Sequence, residues 1–189
     1  MKTWIALLRG VNVVGSRKLL MNDLAAMLRR AGLSAVQTYI QSGNVVFRSK
    51  AGARALEARI ARVIHENTGF DTRVMVLSGG QLANAIRANP FPQAGRDHKA
   101  LHLFFLAKRP PRPDLDALAR LRTRGDAFAL SGAVFYLYTP RGFAKSALHD
   151  KVERFLGVHA TGRNWRTARA LLRMSREAAG SAERRQKPA

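Results

Sequence analysis

The sequence predicts an α+β fold, and three observations carry that prediction. Short apolar or alternating runs bounded by glycine and serine read as strands. Segments with apolar residues at three- and four-residue spacing read as amphipathic helices. The two kinds follow one another as strand, helix, strand, strand, helix, strand over roughly residues 1–77, the split βαβ or ferredoxin-like order, with two helices on one face of an antiparallel sheet.

Taken in order, Trp4 to Leu8 is a continuous apolar run, as expected of a strand covered on both faces. Gly10-Val11-Asn12-Val13-Val14-Gly15 is a glycine-punctuated loop. Leu20, Leu24, Met27, Leu28 and Ala31 mark a helix that Asn22 or Asp23 can cap and Gly32 can close. Val36–Gln41 and Val45–Phe47 flank Ser42-Gly43, a hairpin signal. Leu56, Ile60, Val63 and Ile64 form the stripe of a second helix, and Val74–Leu77 is a fourth strand. The weak polar alternation in Thr3–Leu8 and Val45–Phe47 predicts that the second face of this sheet is at least partly buried, by the second half or by a partner subunit.

Ser78 then caps a helix with Leu82, Ala85 and Ile86, which stops at Asn89-Pro90-Phe91-Pro92 because a residue before proline is driven out of helical geometry. Leu101–Ala107, a helix through Leu115, Leu118 and Leu121, the pair Ala127–Ser131 and Val134–Tyr138, and a helix through Leu148, Val152, Phe155 and Leu156 repeat the first order as far as its second helix. Asn164 caps a last helix, with Trp165, Ala168, Leu171 and Leu172 facing inward. Beyond Met174 the apolar periodicity fades. The expected organisation is an N-terminal plait over 1–88, a second related α+β half packed with it over 99–175, and a disordered polar tail over 176–189.

Thirty-three Lys+Arg against 12 Asp+Glu give a formal charge of +21, mostly as arginine. Arginine forks onto phosphate, which suits nucleic acid or another polyanion. GC-rich coding also enriches arginine, and the charge is spread, +9 over residues 1–94 and +12 over 95–189, rather than gathered in one arm. The absence of cysteine excludes disulfides, Cys-ligated zinc, iron–sulfur clusters and thiol nucleophiles. The N-terminal apolar run of five residues is shorter than the about 7–15 of a signal peptide or the about 20 of a membrane span. The expectation is a cytoplasmic protein with no membrane partner.

Ala6-Leu7-Leu8-Arg9-Gly10-Val11-Asn12-Val13, the block Thr38 to Phe47, Asn89-Pro90-Phe91-Pro92 and Thr161-Gly162-Arg163-Asn164-Trp165-Arg166-Thr167 occur together and in order. This set resembles the bacterial domain-of-unknown-function family 1697 over about residues 3–174. The resemblance implies an α+β, plait-like fold and no particular activity. Here Val14 stands before Gly15, where the family usually has two adjacent glycines.

Two basic places stand out. Strand, Gly10–Gly15 loop and Ser16-Arg17-Lys18 before a helix is the order of a phosphate cradle. Ser16-Arg17 replaces the Gly-Lys-Ser/Thr of a Walker A loop, which excludes nucleotide hydrolysis of that class. The candidate anion loop is Arg9, Gly10, Asn12, Gly15, Arg17 and Lys18, with Gln41, Ser42 and Asn44 of the hairpin beside it. The other place is the last helix, where Arg166, Arg169, Arg173 and Arg176 fall within about 80° of one another at 3.6 residues per turn. Trp4 and Phe47 are candidates for base stacking on central strands, although strand aromatics more often serve a core.

Catalytic candidates are few. His98 and His102 are four apart but fall in or beside a strand, where that spacing builds no helical metal pair, and no metal or other cofactor is expected. A lone strand histidine reads as structural. Ser146, His149 and Asp150 share one predicted helix, whereas a triad draws its members from separate elements. The leading function is a non-catalytic polyanion binder. The alternatives are a small-molecule or phosphometabolite protein, possibly enzymatic, using Gly10–Lys18, and a structural homodimer joined through a sheet face.

Overall fold

Trp4 and Phe47, facing each other across two neighbouring strands, lie in the core of the first unit rather than on a surface. A computed structural model describes residues 1–12, 18–95 and 99–186 of the chain. Its first six elements are β1 (Lys2–Leu8), α1 (Met21–Arg30), β2 (Ser34–Tyr39), β3 (Asn44–Ser49), α2 (Ala53–Thr68) and β4 (Val74–Ser78). They form an antiparallel sheet of order β2-β3-β1-β4. Trp4, Ala6 and Leu8 of β1 point to one face with Val45 and Phe47 and pack with Leu24 and Leu28 of α1 and Leu56, Ile60 and Ile64 of α2. Trp4 is 8% exposed and Phe47 fully buried, so neither can stack a base. The alternate residues Ile5, Leu7 and Val46 are buried as well. Those central positions of the second sheet face are therefore covered within a single chain.

Helix α1 begins at Met21 with Leu20 at the cap position and no side-chain cap, in place of the expected Asn22 or Asp23. Asp23 in its first turn and Arg29 and Arg30 in its last still match the helix dipole. Glu57 of α2 accepts a hydrogen bond from the Val76 amide at 2.9 Å, satisfying a backbone group of β4, an edge strand. Ser78 ends β4 and starts α3 (Gly79–Arg87). The Gln81 amide donates to Ser78 Oγ at 3.1 Å and the Ser78 amide to Gln81 Oε1 at 2.8 Å, a reciprocal capping box.

The later elements are β5 (Leu101–Leu106), α4 (Leu115–Arg120), β6 (Ala127–Ser131), β7 (Val134–Tyr138), α5 (Val152–Leu156) and β8 (Ala160–Asn164). They make a second antiparallel sheet, of order β6-β7-β5-β8. Phe104 and Leu106 share a core with Phe135, Leu137, Leu118, Leu148, Val152 and Leu156. Strand β8 is absent from the sequence expectation. Its Thr-Gly-Arg run resembles a loop, but a Cβ on Gly162 would come within 3.0 Å of the Phe104 ring, so this strand carries glycine to let that ring pack. Leu148 lies before α5, not within it. Among the described residues the molecule is thus an α+β protein with two four-stranded antiparallel sheets and six α-helices.

Helix α6 runs from Trp165 to Gln186, through the stretch expected to be a disordered tail from 176 onward. Ser175 and Ala178 are 3% and 5% exposed and continue the inward stripe of Ala168 and Leu171 with small side chains. A Cβ on Gly79 would meet Ser175 Oγ at 3.2 Å, so small residues permit close approach where larger apolar ones would mark a stripe. By internal contacts the chain divides into Met1–Ala83 with Ala170–Ala189, and Asn84–Arg169, whereas the sequence suggested 1–88, 99–175 and 176–189.

Candidate functional site

Asn12 of the first loop lies against the β2–β3 hairpin. Its Nδ2 donates to Leu19 O at 2.8 Å and to Gln41 O at 2.7 Å, while its Oδ1 accepts the Leu19 amide at 2.7 Å. Asn44 is fully buried and its Nδ2 donates to Tyr39 O at 3.1 Å and to Ser42 Oγ at 2.9 Å. Both amides therefore hold the chain in shape and have no donor left for a ligand. Gly10 and Asn12 have φ of 71° and 55°, left-handed values that glycine and asparagine tolerate. Arg9, Lys18, Gln41 and Ser42 are exposed; Gly15 and Arg17 lie outside the described residues.

A different constellation forms at the end of the second sheet. His102 of β5 faces Asn164 of β8 and Leu137 of β7 in register. It lies on the core-facing side with Phe104, one pair closer to the strand end. The helices over this face, α4 and α5, have six and five residues, against ten and sixteen for α1 and α2. The end of the sheet stays open, and a cleft of about 510 Å³ forms there, lined by Lys99, His102, Thr139, Arg141, Phe143 and Asn164 among others.

The sequence of the β7–α5 connection explains its walls. The Gly142 amide donates to Thr139 O at 3.0 Å, closing a turn over Pro140 and Arg141, and Gly142 takes a φ of 108° that a side chain would oppose. This delivers Phe143 onto His102, ring centroids 3.8 Å apart and stacked. The His149 ring meets the same Phe143 edge-on at 5.2 Å. His149 Nδ1 is 2.7 Å from Ser146 O, so that nitrogen carries its proton. His102 Nδ1 is enclosed with no hydrogen-bond partner. Burial first, and His149 second, pull His102 from 6.5 down to about 4, so its imidazole is neutral near pH 7. Asn164 Oδ1 accepts the Thr167 amide at 2.8 Å as the cap of α6, which leaves its Nδ2 as a donor.

Ser146, His149 and Asp150 make no triad. Ser146 Oγ donates to buried Asp126 at 2.7 Å, His149 donates to a carbonyl, and Asp150 pairs with Lys151 at 2.9 Å. His98 lies outside the described residues. On α6, Arg166, Arg169, Arg173 and Arg176 are all exposed, and Arg173 approaches Glu177 at 3.9 Å.

A family model described as a protein of unknown function, DUF1697, matches residues 1–136. The chain belongs to the DUF1697 family. The match takes in the first loop, the hairpin, Lys99 and His102; the other cleft residues named above and α6 follow it in sequence. No curated protein matches this DUF1697 chain. In structure it is similar to the conserved bacterial protein SP0830 from Streptococcus pneumoniae, with a TM-score of 0.69 at 23% identity, over 92% of this chain and 98% of that one. That likeness speaks to the fold alone. Sequence reasoning had placed His102 in a strand but missed Lys99, Arg141 and Phe143 beside it. The Pro140-Arg141-Gly142 turn was the one available signal.

Proposed function

We propose that this DUF1697 protein is a non-catalytic binder of polyanions, with nucleic acid the best-suited class. The observation that carries the reading is the outer face of α6. Four exposed arginines rise about 15 Å along it at 1.5 Å per residue. Arg166, Arg169 and Arg176 have no carboxylate or hydrogen-bond partner among the described residues. A guanidinium without an internal partner loses little on meeting phosphate, and a row of them displaces condensed counterions together. The hydrogen bonds of Asn12 and Asn44 weigh against a phosphometabolite site on the Gly10–Lys18 loop, and the Ser146–Asp126 bond weighs against hydrolase chemistry. The order β-α-β-β-α-β with strands as β2-β3-β1-β4, and again as β6-β7-β5-β8, supports reading both units as ferredoxin-like plaits. A cytoplasmic location accords with such a partner.

The test is a salt titration with labelled duplex DNA and single-stranded RNA. Log K should fall linearly with log salt. Changing the four arginines to glutamine should flatten the slope on duplex DNA by about 0.9 for each phosphate that the helix ceases to neutralise. A flat plot for the native chain, or the same slope after the change, would sink the reading.

A further inference from the structure

We propose that the cleft at the open end of the second sheet binds a small organic anion, its carboxylate or phosphate held among Lys99, Arg141 and the Asn164 amide and its apolar part against Phe143. Among the described residues no acidic side chain lines this cleft, while two cationic ones do. Arg141 projects from an exposed turn and has no carboxylate or hydrogen-bond partner there. Asn164 cannot rotate its amide without giving up the α6 cap, so Nδ2 is fixed as a donor. A carboxylate or phosphate accepts from Arg141 and from Asn164 Nδ2, with the charge of Lys99 on the same wall, and each bond is charge-assisted.

The wall opposite is apolar. Phe143 is half-buried, with the His102 ring stacked on it and the His149 ring edge-on, so this aromatic wall is fixed in place before any ligand arrives. His102 sets the floor. Its Nδ1 is sealed without an acceptor, and a neutral imidazole keeps its proton where it can be satisfied, on the nitrogen outside that seal. The ring then offers the ligand an N–H without adding a charge. A pocket of about 510 Å³ falls in the range of small-molecule sites. None of these residues belongs to the α6 arginine face, so the two proposals fail independently.

The full chain is titrated with phenyl phosphate, inorganic phosphate and benzyl alcohol while the His102 imidazole C–H signals are followed by NMR, assigned with His102→Gln. Phenyl phosphate should give a saturable shift with half-saturation at least tenfold below that of inorganic phosphate. Bound anion should also raise the pH at which His102 titrates. Arg141→Ala should weaken binding at least tenfold, and Arg141→Lys should restore part of it. Asn164→Asp retains an α6 cap, so the melting temperature should hold while phenyl phosphate binding is lost. Arg166→Gln with Arg169→Gln should leave the titration unchanged. The proposal is overturned if Arg141→Ala and Asn164→Asp bind as the native chain does. It is equally overturned if inorganic phosphate or benzyl alcohol binds as tightly as phenyl phosphate, or if the α6 changes weaken binding as much as Arg141→Ala.

Discussion

His102 faces Asn164 across the β5–β8 ladder in the position where Trp4 faces Ser78 across β1–β4. In both sheets the residue on the edge strand is the last of that strand and caps the helix that follows, Ser78 for α3 and Asn164 for α6. The central-strand residue differs: an indole sealed in a core in one, an imidazole beside a cleft in the other. Replacing Asn164 with alanine removes the cap and should cost about 1 kcal/mol, read as a lower urea midpoint at unchanged slope. Ser78→Ala should cost a similar amount.

Gly43 and Gly10 share a left-handed φ, 70° and 71°, but not their surroundings. A Cβ on Gly43 would sit 2.5 Å from Val11 Cγ2 and 2.7 Å from Leu8 Cβ, while one on Gly10 meets nothing within 4 Å. Gly43→Ala should therefore cost about 3 kcal/mol, from conformation plus overpacking, and Gly10→Ala about 1 kcal/mol from conformation alone. Chemical denaturation of the two variants checks the difference; equal losses would contradict the packing argument.

The buried position of His102 makes stability depend on pH. Unfolded, it takes up a proton near 6.5; folded, it resists until about 4. Between those values the unfolded state binds more protons, so stability rises with pH. The contribution is complete above about pH 6.5 and is lost on acidification to about pH 4, on the order of 3 kcal/mol at most. His102→Gln should flatten the stability profile across that window, measured by urea unfolding at a series of pH values.

Asp126 is 7% exposed and accepts from Thr123 Oγ1 and from Ser146 Oγ, each at 2.7 Å. It ties the start of β6 to the segment before α5. Asp126→Ala strands the buried Ser146 hydroxyl and frees exposed Thr123 to water, and should cost about 2–3 kcal/mol, whereas Ser146→Ala, which leaves the Thr123 bond in place, should cost about half that. Thermal melts of the two single variants and the double give the coupling directly.

Much of this architecture is legible in the residues, because core positions of α1, α2 and β1–β4 follow helical or strand periodicity with large apolar side chains. Two elements escape that signal for opposite packing reasons. Strand β8 is hidden by Gly162, which makes room for Phe104, and by Arg163, an edge-strand arginine whose burial lowers it to about 10. The second half of α6 is hidden by Ser175 and Ala178, buried although small. The site was harder to read. Asn12 and Asn44 have the residue types of a ligand loop, yet Asn12 bonds backbone atoms 7 and 29 residues away and Asn44 bonds a carbonyl and a hydroxyl of its own hairpin. The cleft arises because α4 and α5 are short, and its members come from three separate stretches of the chain. Only the assembled sheet puts Asn164 opposite His102.

The division of the chain has a consequence for how it is made. The first unit comprises residues 1–83 and 170–189, with the whole of the second unit between them in sequence. At a synthesis rate of about 5–20 residues per second, the leading sheet emerges from the ribosome several seconds before the segment that carries Ser175 and Ala178. By the end of that interval the second unit has all of its strands, while the first still lacks one of its parts. The unit begun first is completed last, and the growing chain must keep its early apolar strands from wrong partners until α6 arrives.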